Sequence, residues 1–522
     1  MRNSKIEGSR VATPPLIAKR RAVVNDWEAK NGLTRNSGGS RNDGGGSMKR
    51  PKGWRRAAIV SASVASLCAA AALGASWDER VFGEHVDFDA VAAQGPSAIP
   101  ALIARGRELF KAKFTTADGA GRPKATQAIV PTKRKVGVNP AFARLSGPDS
   151  NSCFGCHNDP VEGGSGDFVA NVFVSEGFES AQFDSTDPSF SSERHTVSLM
   201  GAGLIELLAR EMTADLQSER DAAVKQARQS GGDVRADLES KGVRFGALTA
   251  HPDGVVDLDD VDGVDADLII RPFSRKGVFT SLRQFTINAL NTHHGMEAME
   301  RFGVRWTGSH DFGESGVPDA ITDGDVSALV AFQATLPPPT VKSGLPDDWR
   351  VAAAEGEKRF DEIGCASCHR QTLPLKSLVF TDPAPYDMAG TLRAGEVKRE
   401  IVVDLGREPF AAQLPKNDKG EWLIPLFSDL KRHLIVDQQN AELGNELQAQ
   451  RFVERDVFLT PRLWGVGSTA PYGHRGDFRM LNEIIVAHGG EAGFAREAYL
   501  SLDPKDRDTI IAFLRSLVIE TP

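Results

Sequence analysis

The stretch that decides the fold is Gly356-Glu357-Lys358-Arg359-Phe360, running on to Cys365-Ala366-Ser367-Cys368-His369, because the chain spells this pattern twice. Its earlier copy is Gly106-Arg107-Glu108-Leu109-Phe110, followed by Cys153-Phe154-Gly155-Cys156-His157. A segment of small and large apolar residues comes next in both rounds, Leu199-Met200-Gly201-Ala202-Gly203 and Leu463-Trp464-Gly465-Val466-Gly467. Each round then closes on Ala-Phe and a leucine, Ala331-Phe332 with Leu336 and Ala512-Phe513 with Leu517. Two units of one architecture are therefore expected, joined by Pro337-Pro338-Pro339 and a linker from Thr340 to Pro346.

The CxxCH spacing carries the chemistry. Its two thiols can add to the vinyl groups of haem, which places the adjacent imidazole under the iron as proximal ligand. Cys153 and Cys156 would attach one haem over His157, and Cys365 and Cys368 a second over His369. Zinc would require Cys/His pairs brought together across units and leaves the histidine after each second cysteine unexplained. The fold class expected is mainly α: two cytochrome-c-like haem domains with long loops and a small β insertion in the first. The closing segments, Asp325 to Leu336 and Asp506 to Leu517, read as amphipathic helices with an acid in the first turn. Between Gly242 and Pro272 the pattern alternates Val/Leu with Asp, which suggests a short hairpin. Its acids Asp257, Asp259, Asp260, Asp262, Asp265 and Asp267 could hold calcium, but the spacing is not that of an EF-hand, and a solvated acidic loop is the preferred reading.

With 522 residues and 40% hydrophobic content the chain can bury several cores. From Met48 a basic head (Lys49, Arg50, Lys52, Arg55, Arg56) precedes an apolar run from Ala57 to Gly74, the layout of a cleavable secretory signal and hence of a periplasmic protein. The expected boundaries are a disordered or misassigned extension at 1–47, a signal peptide at 48–75, a first haem domain at 76–340 and a second at 341–522. Cys68, the fifth cysteine, falls within the apolar run. Removing residues 1–75, with their 14 basic and 4 acidic side chains, leaves 48 basic against 66 acidic, a formal charge of −18. Such a surface disfavours nucleic acid and suits a basic partner, such as a small redox protein that donates or accepts electrons.

Function turns on the far side of each iron, since a sixth protein ligand favours electron transfer and an open position favours reaction with peroxide or dioxygen. The segment from Met480 to His488 reads as a helix stopped by Gly489-Gly490, with His488 on the apolar face of Leu481, Ile484 and Ile485. An imidazole on that face needs a partner, and a haem iron would serve. A second helix, near Ser281 to His294, puts His293 on the stripe of Leu282, Phe285 and Ala289; His293 or its neighbour His294 could ligate, line a pocket or end the helix. His195 and Glu206 flank the first Leu-Met-Gly-Ala-Gly segment and are candidate acid/base groups. His433 and His474 are the fallback ligands should His488 fail, and Trp464 reads as a core residue before an electron relay.

The segments Thr460-Pro461-Arg462-Leu463-Trp464-Gly465-Val466-Gly467, Thr469-Ala470-Pro471-Tyr472-Gly473-His474-Arg475-Gly476 and His488-Gly489-Gly490-Glu491-Ala492 resemble the di-haem oxidoreductase family, distant relatives of the bacterial di-haem cytochrome c peroxidases. Gly201-Ala202-Gly203-Leu204-Ile205-Glu206 and Asp267-Leu268-Ile269-Ile270-Arg271-Pro272-Phe273 agree with it in the first half. The resemblance implies two interacting haems, one storing an electron while the other, on His157, meets the oxidant. It implies peroxide reduction as the leading reaction, with oxygen-dependent oxidation of an organic substrate and plain electron transfer as alternatives. In the relatives a methionine or tyrosine stands where this chain has His488, so a His369/His488 pair departs from them and would lower that haem's potential. Their Trp-Asp-Gly segment is also missing; the equivalent stretch is Leu207-Leu208-Ala209-Arg210-Glu211.

Overall fold

The computed structural model describes residues 79–121, 124–125, 130–133, 151–167, 169–173, 191–446 and 450–520. The N-terminal extension, the apolar run read as an export signal and Cys68 lie outside the described residues. The helices that frame the structure are α1 (Ile99–Lys111), α2 (Ala202–Ser230), α3 (Leu282–Ala289), α4 (Asp323–Ala334), α5 (Asp347–Glu362), α6 (Leu481–Val486) and α7 (Pro504–Ser516). Among the described residues, no helix is long and apolar enough to cross a membrane.

The repeat seen in the sequence becomes a repeated helix crossing. In α1 the buried positions Ile99, Leu102, Gly106, Leu109 and Phe110 recur at helical spacing and form one face, which packs on α4. In the second half, α5 packs on α7 in the same way. Both crossings are close enough to require glycine. A Cβ on Gly106 would stand 1.9 Å from the Ala328 carbonyl oxygen, and one on Gly356 would stand 1.9 Å from that of Thr509. The aromatic residue four positions on completes each crossing: Phe110 meets Phe332 at 5.1 Å between ring centroids, and Phe360 meets Phe513 at 5.5 Å. The two closing helices start differently. A capping box holds α4, with Asp325 N donating to Thr322 Oγ1 and Thr322 N donating to Asp325 Oδ2 at 3.0 Å. Helix α7 instead opens on Pro504, whose fixed φ suits a first helical residue.

The halves are less separate than two domains joined at residue 340. Residues Gly74–Pro522 form one compact unit. Thr340–Val341, expected to be linker, pairs as a short strand with Leu517–Val518, and Lys342 N donates to Ser516 O at 2.7 Å. Residues 379–392 of the second half thread into the first. Arg283, fully buried, pairs with Asp382 at 2.7 Å and Glu300 at 2.9 Å, and Ser327 donates to Asp382 at 2.6 Å. Thr280 and Ser281 both donate to Asp387, and Arg210 donates to the Thr381 carbonyl at 2.8 Å. The small apolar segments of the two rounds also meet, since the Trp464 ring lies where a Cβ on Gly201 would fall, 2.5 Å away. Trp464 is 6% exposed and belongs to the core.

Strand structure is wider than the expected insertion. Strands β1 (Val169–Phe173) and β2 (Ser191–His195) pair antiparallel, as do β3 (Val234–Ser240) and β4 (Val243–Ala250), with β5 (Val256–Asp257) on the outer edge of β4. Gly242 is the turn of this hairpin rather than its start. Lys241 (φ 53°) and Gly242 (φ 78°) make the tight two-residue connection whose twist suits antiparallel strands. Short ladders also punctuate the second half, 373–375 with 422–424, 379–382 with 401–404 and 432–434 with 457–459. The acidic loop is paired as well as solvated: Asp260 with Arg235 at 2.6 Å, Asp262 with Lys431 at 2.5 Å, Asp265 with Arg271 at 2.7 Å and Asp267 with Arg271 at 2.5 Å. Four of the six carboxylates proposed as calcium ligands therefore face a basic side chain.

Candidate functional site

The two CxxCH motifs are backed by the same parts. Ser152 caps the turn Cys153–Cys156 by accepting from Gly155 N at 3.1 Å, and a 3-10 turn carries Cys365–Ser367. Neither cysteine pair is closed into a disulfide. Phe110 leans on His157 at 6.3 Å and 45°, and Phe360 leans on His369 at 6.2 Å and 52°. His157 Nδ1 donates to Gly164 O at 3.3 Å, and His369 Nδ1 donates to Phe427 O at 3.2 Å. A carbonyl on Nδ1 fixes the tautomer and leaves Nε2 with its lone pair, the arrangement that metal-ligating imidazoles adopt. Burial pushes both imidazoles down to about 4, so each is neutral and able to ligate at physiological pH.

After burial, the next influence that lowers His369 is the charge of His488. His488 follows α6, and its Nδ1 donates to Ile484 O at 2.7 Å, so its Nε2 too keeps a lone pair. The loop beyond it is pinned: Gly489 N donates to Ile435 O at 2.9 Å, Gly490 N to Asp437 Oδ2 at 2.7 Å, and Asn440 Nδ2 to the His488 carbonyl at 3.1 Å.

The charge of His293 likewise lowers His157. Here the helix ends differently. Helix α3 runs into a π-turn, Leu290–His294, stopped by Gly295 at φ 64°. His293 and His294 sit together on that turn, with ring centroids 6.5 Å apart. His294 packs on Phe114 at 5.6 Å and lies 3.9 Å from Cys153 Sγ. Asn291, on the same turn, is 1% exposed, and neither polar atom of its side chain has a hydrogen-bond partner. An amide so placed carries a desolvation cost that a bound polar group would relieve. The free thiols and the neutral motif imidazoles, each held through Nδ1, thus fit haem at both motifs.

The remaining candidates are held by other partners. His433 bridges Asp429 at 2.8 Å and Glu491 at 2.7 Å, so neither nitrogen is left for iron. Burial opposes its charge, but hydrogen bonding to Asp429 and to the Cys368 thiol carries it up to about 11. Cys368, Asp429 and His433 also form a group of metal-ligand atoms within 4.8 Å of one another, with Cys368 already committed to its motif. His474 bonds Asn445 Oδ1 at 2.9 Å and stacks on Phe458 at 4.4 Å; burial and four nearby cations push it down to about 2. His195 lies between Gly166 O at 3.3 Å and Arg275 at 3.4 Å. Glu206, fully buried, binds Arg210 at 2.5 Å with one oxygen and caps α3 through Leu282 N at 2.7 Å with the other. His195 and Glu206 share no partner, and both are occupied in holding the fold together. Sequence reading singled out neither Asn291 nor Arg275 and gave Arg462 no role of its own, since a single polar residue without a repeated spacing carries no periodic signal.

Residues 419–517 match the family described as "Di-haem oxidoreductase, putative peroxidase", which bears out the resemblance read from the C-terminal motifs. No curated protein matches the chain. Among solved structures, Kuenenia stuttgartiensis hydrazine synthase is similar at 13% identity, covering 88% of this chain and 100% of that one with a TM-score of 0.33. A MauG-like protein associated with microbial copper homeostasis is similar at 13% identity, covering 61% of this chain and 90% of that one with a TM-score of 0.25.

Proposed function

We propose that the chain, whose residues 419–517 match a di-haem oxidoreductase family, is an exported c-type di-haem oxidoreductase that reduces peroxide with electrons relayed between its haems. The observation that carries this reading is the twice-built proximal side, in which phenylalanine, motif imidazole and backbone carbonyl recur with nearly equal distances. Haem, when bound, supplies the one-electron redox steps and, at an open position, the place where peroxide meets iron. The cysteines of each motif anchor the group and His157 and His369 orient it. His488, fixed by Ile484 O, suits a second site that stores an electron. The first site differs in its facing side, where His293, His294 and the unbonded amide of Asn291 share one turn. That amide is suited to hold or orient a polar oxidant. Export, periplasmic maturation and a basic redox partner for the acidic surface complete the proposal.

A second reading has an observation of its own. His293 is near enough to His157 for its charge to be felt, and a His157/His293 pair would make both sites six-coordinate and the protein an electron carrier. Optical spectra of the ferric protein separate the two. A high-spin component that shifts on adding cyanide or peroxide supports the enzyme, whereas two wholly low-spin haems that ignore both would sink it. Expression in the cytosol without residues 1–75 should yield apoprotein, and haem-loaded protein from such cells would overturn the export assignment.

A further inference from the structure

Near the junction of the halves lies a group of cations with too few anions. Arg194 is neutralised by Glu446 at 2.5 Å. Lys276, fully buried, donates to the carbonyls of Glu454, Arg455 and Val457 at 2.7 to 2.8 Å and lies 3.5 Å over the Phe458 ring. Arg275 and Arg462 have no such match. Arg275 donates to His195 O at 3.2 Å and contacts its Nδ1 at 3.4 Å, and its Nε is buried without a partner. Arg462 reaches Ser198 O at 3.2 Å and Pro272 O at 3.5 Å. Among the described residues neither forms an ion pair with a carboxylate. Burial pushes both down to about 10; for Arg275 the charges of Arg462 and Arg194 add to this, and Glu446, already paired with Arg194, offsets them only in part. Two like charges in a desolvated place are strongly unfavourable unless an anion joins them.

The carbonyls that hold these arginines locate the anion. Arg275 sits on His195 O and Arg462 on Ser198 O. Between them in the chain, the Val197 carbonyl interacts with the imidazole of His157. One short segment thus binds the first proximal histidine in its middle and an unneutralised arginine at either end. We infer that Arg275 and Arg462 are the counter-charges for the propionates of the haem carried by His157, so that residues 195–198 fix the proximal imidazole and the acid edge of that haem together. The inference rests on the proposed haem at this motif. It explains why one arginine comes from each half: Arg462 can reach its place only when the second half is docked. A guanidinium fork suits a carboxylate better than an ammonium would, because two N–H groups match two oxygens.

The test uses exported holoprotein with Arg275→Gln, with Arg462→Gln, and with Arg235→Gln at an exposed salt bridge as control. Haem per chain is measured by pyridine haemochrome and mass, and each potential by spectroelectrochemical titration. Both site variants are expected to keep two covalent haems and to lower one potential, that of the haem that remains when Cys365 and Cys368 are replaced by serine, while the control leaves both potentials in place. Loss of a cation beside the haem favours the ferric state. Unchanged potentials with two haems retained would overturn the propionate assignment alone; fewer than two covalent haems in the wild type would overturn the haem reading beneath it. Should the glutamine variants fail to accumulate, Arg275→Lys and Arg462→Lys keep the charge but not the fork. The propionate bending band in resonance Raman should then move, and a band that stays would count against the contact.

Discussion

His369 and His157 are backed alike but faced differently. Behind each ring stand a phenylalanine at just over 6 Å and a backbone carbonyl on Nδ1. In front of His369, His488 follows a regular helix, bonded at 2.7 Å and fastened by the loop that carries Asp437 and Asn440. Beside the first motif, where His294 lies 3.9 Å from Cys153 Sγ, the helix widens into a π-turn that carries His293 and His294 and leaves Asn291 unbonded. π-turns are uncommon and gather at functional sites. The backing of the motif imidazoles thus comes from the duplicated helix crossing, whereas the histidines His293 and His488 come from each half's own loops, and there the halves diverge.

The largest expected effect breaks the comparison outright. Cys365→Ser with Cys368→Ser should remove covalent haem from the second motif only and leave half the haem stain per chain; two haems surviving the double change would refute the attachment sites. Next comes the distal side. His488→Ala should convert one low-spin haem to high spin and leave the haem on His157 with its original spectrum, while His293→Ala should act on the first haem alone. Spectra identical to wild type in His488→Ala would make His488 a core histidine.

The helix crossings should respond equally. Gly106→Ala and Gly356→Ala each push a methyl group into a carbonyl oxygen 1.9 Å away, so each should cost about 3 kcal/mol in denaturant unfolding. A large effect at one and none at the other would deny that the crossings are equivalent. The smallest effect concerns acid. Burial holds His195 at about 4 and His474 at about 2, below the value of about 6.5 expected in the unfolded chain. Their contribution is complete above about pH 6.5 and is lost as pH falls, at about 1.4 kcal/mol per pH unit for each until its folded value is reached. His474→Gln should therefore flatten the decline of stability between pH 6 and 4, and an unaltered slope in that variant would show that His474 is not buried neutral.

The sequence by itself determined the two CxxCH motifs and the repeated frame, because motif spacing and helical periodicity are local and recur in one dimension. The helix read from Met480 to His488 is shorter in the structure, Leu481–Val486, and His488 stands just past its C-cap Ala487. Tertiary structure alone decided the rest. The linker at Thr340–Val341 proved to be a paired strand, and residues 379–392 proved to belong to the first half's core, since buried partners such as Arg283 and Asp382 are 99 residues apart and no periodicity connects them. Nor could the sequence show the partners of the acid/base candidates His195 and Glu206, which are a backbone carbonyl and an arginine, and a helix start and another arginine. What a polar side chain does depends on which group reaches it when the chain closes on itself, and that is a property of packing rather than of neighbours in sequence.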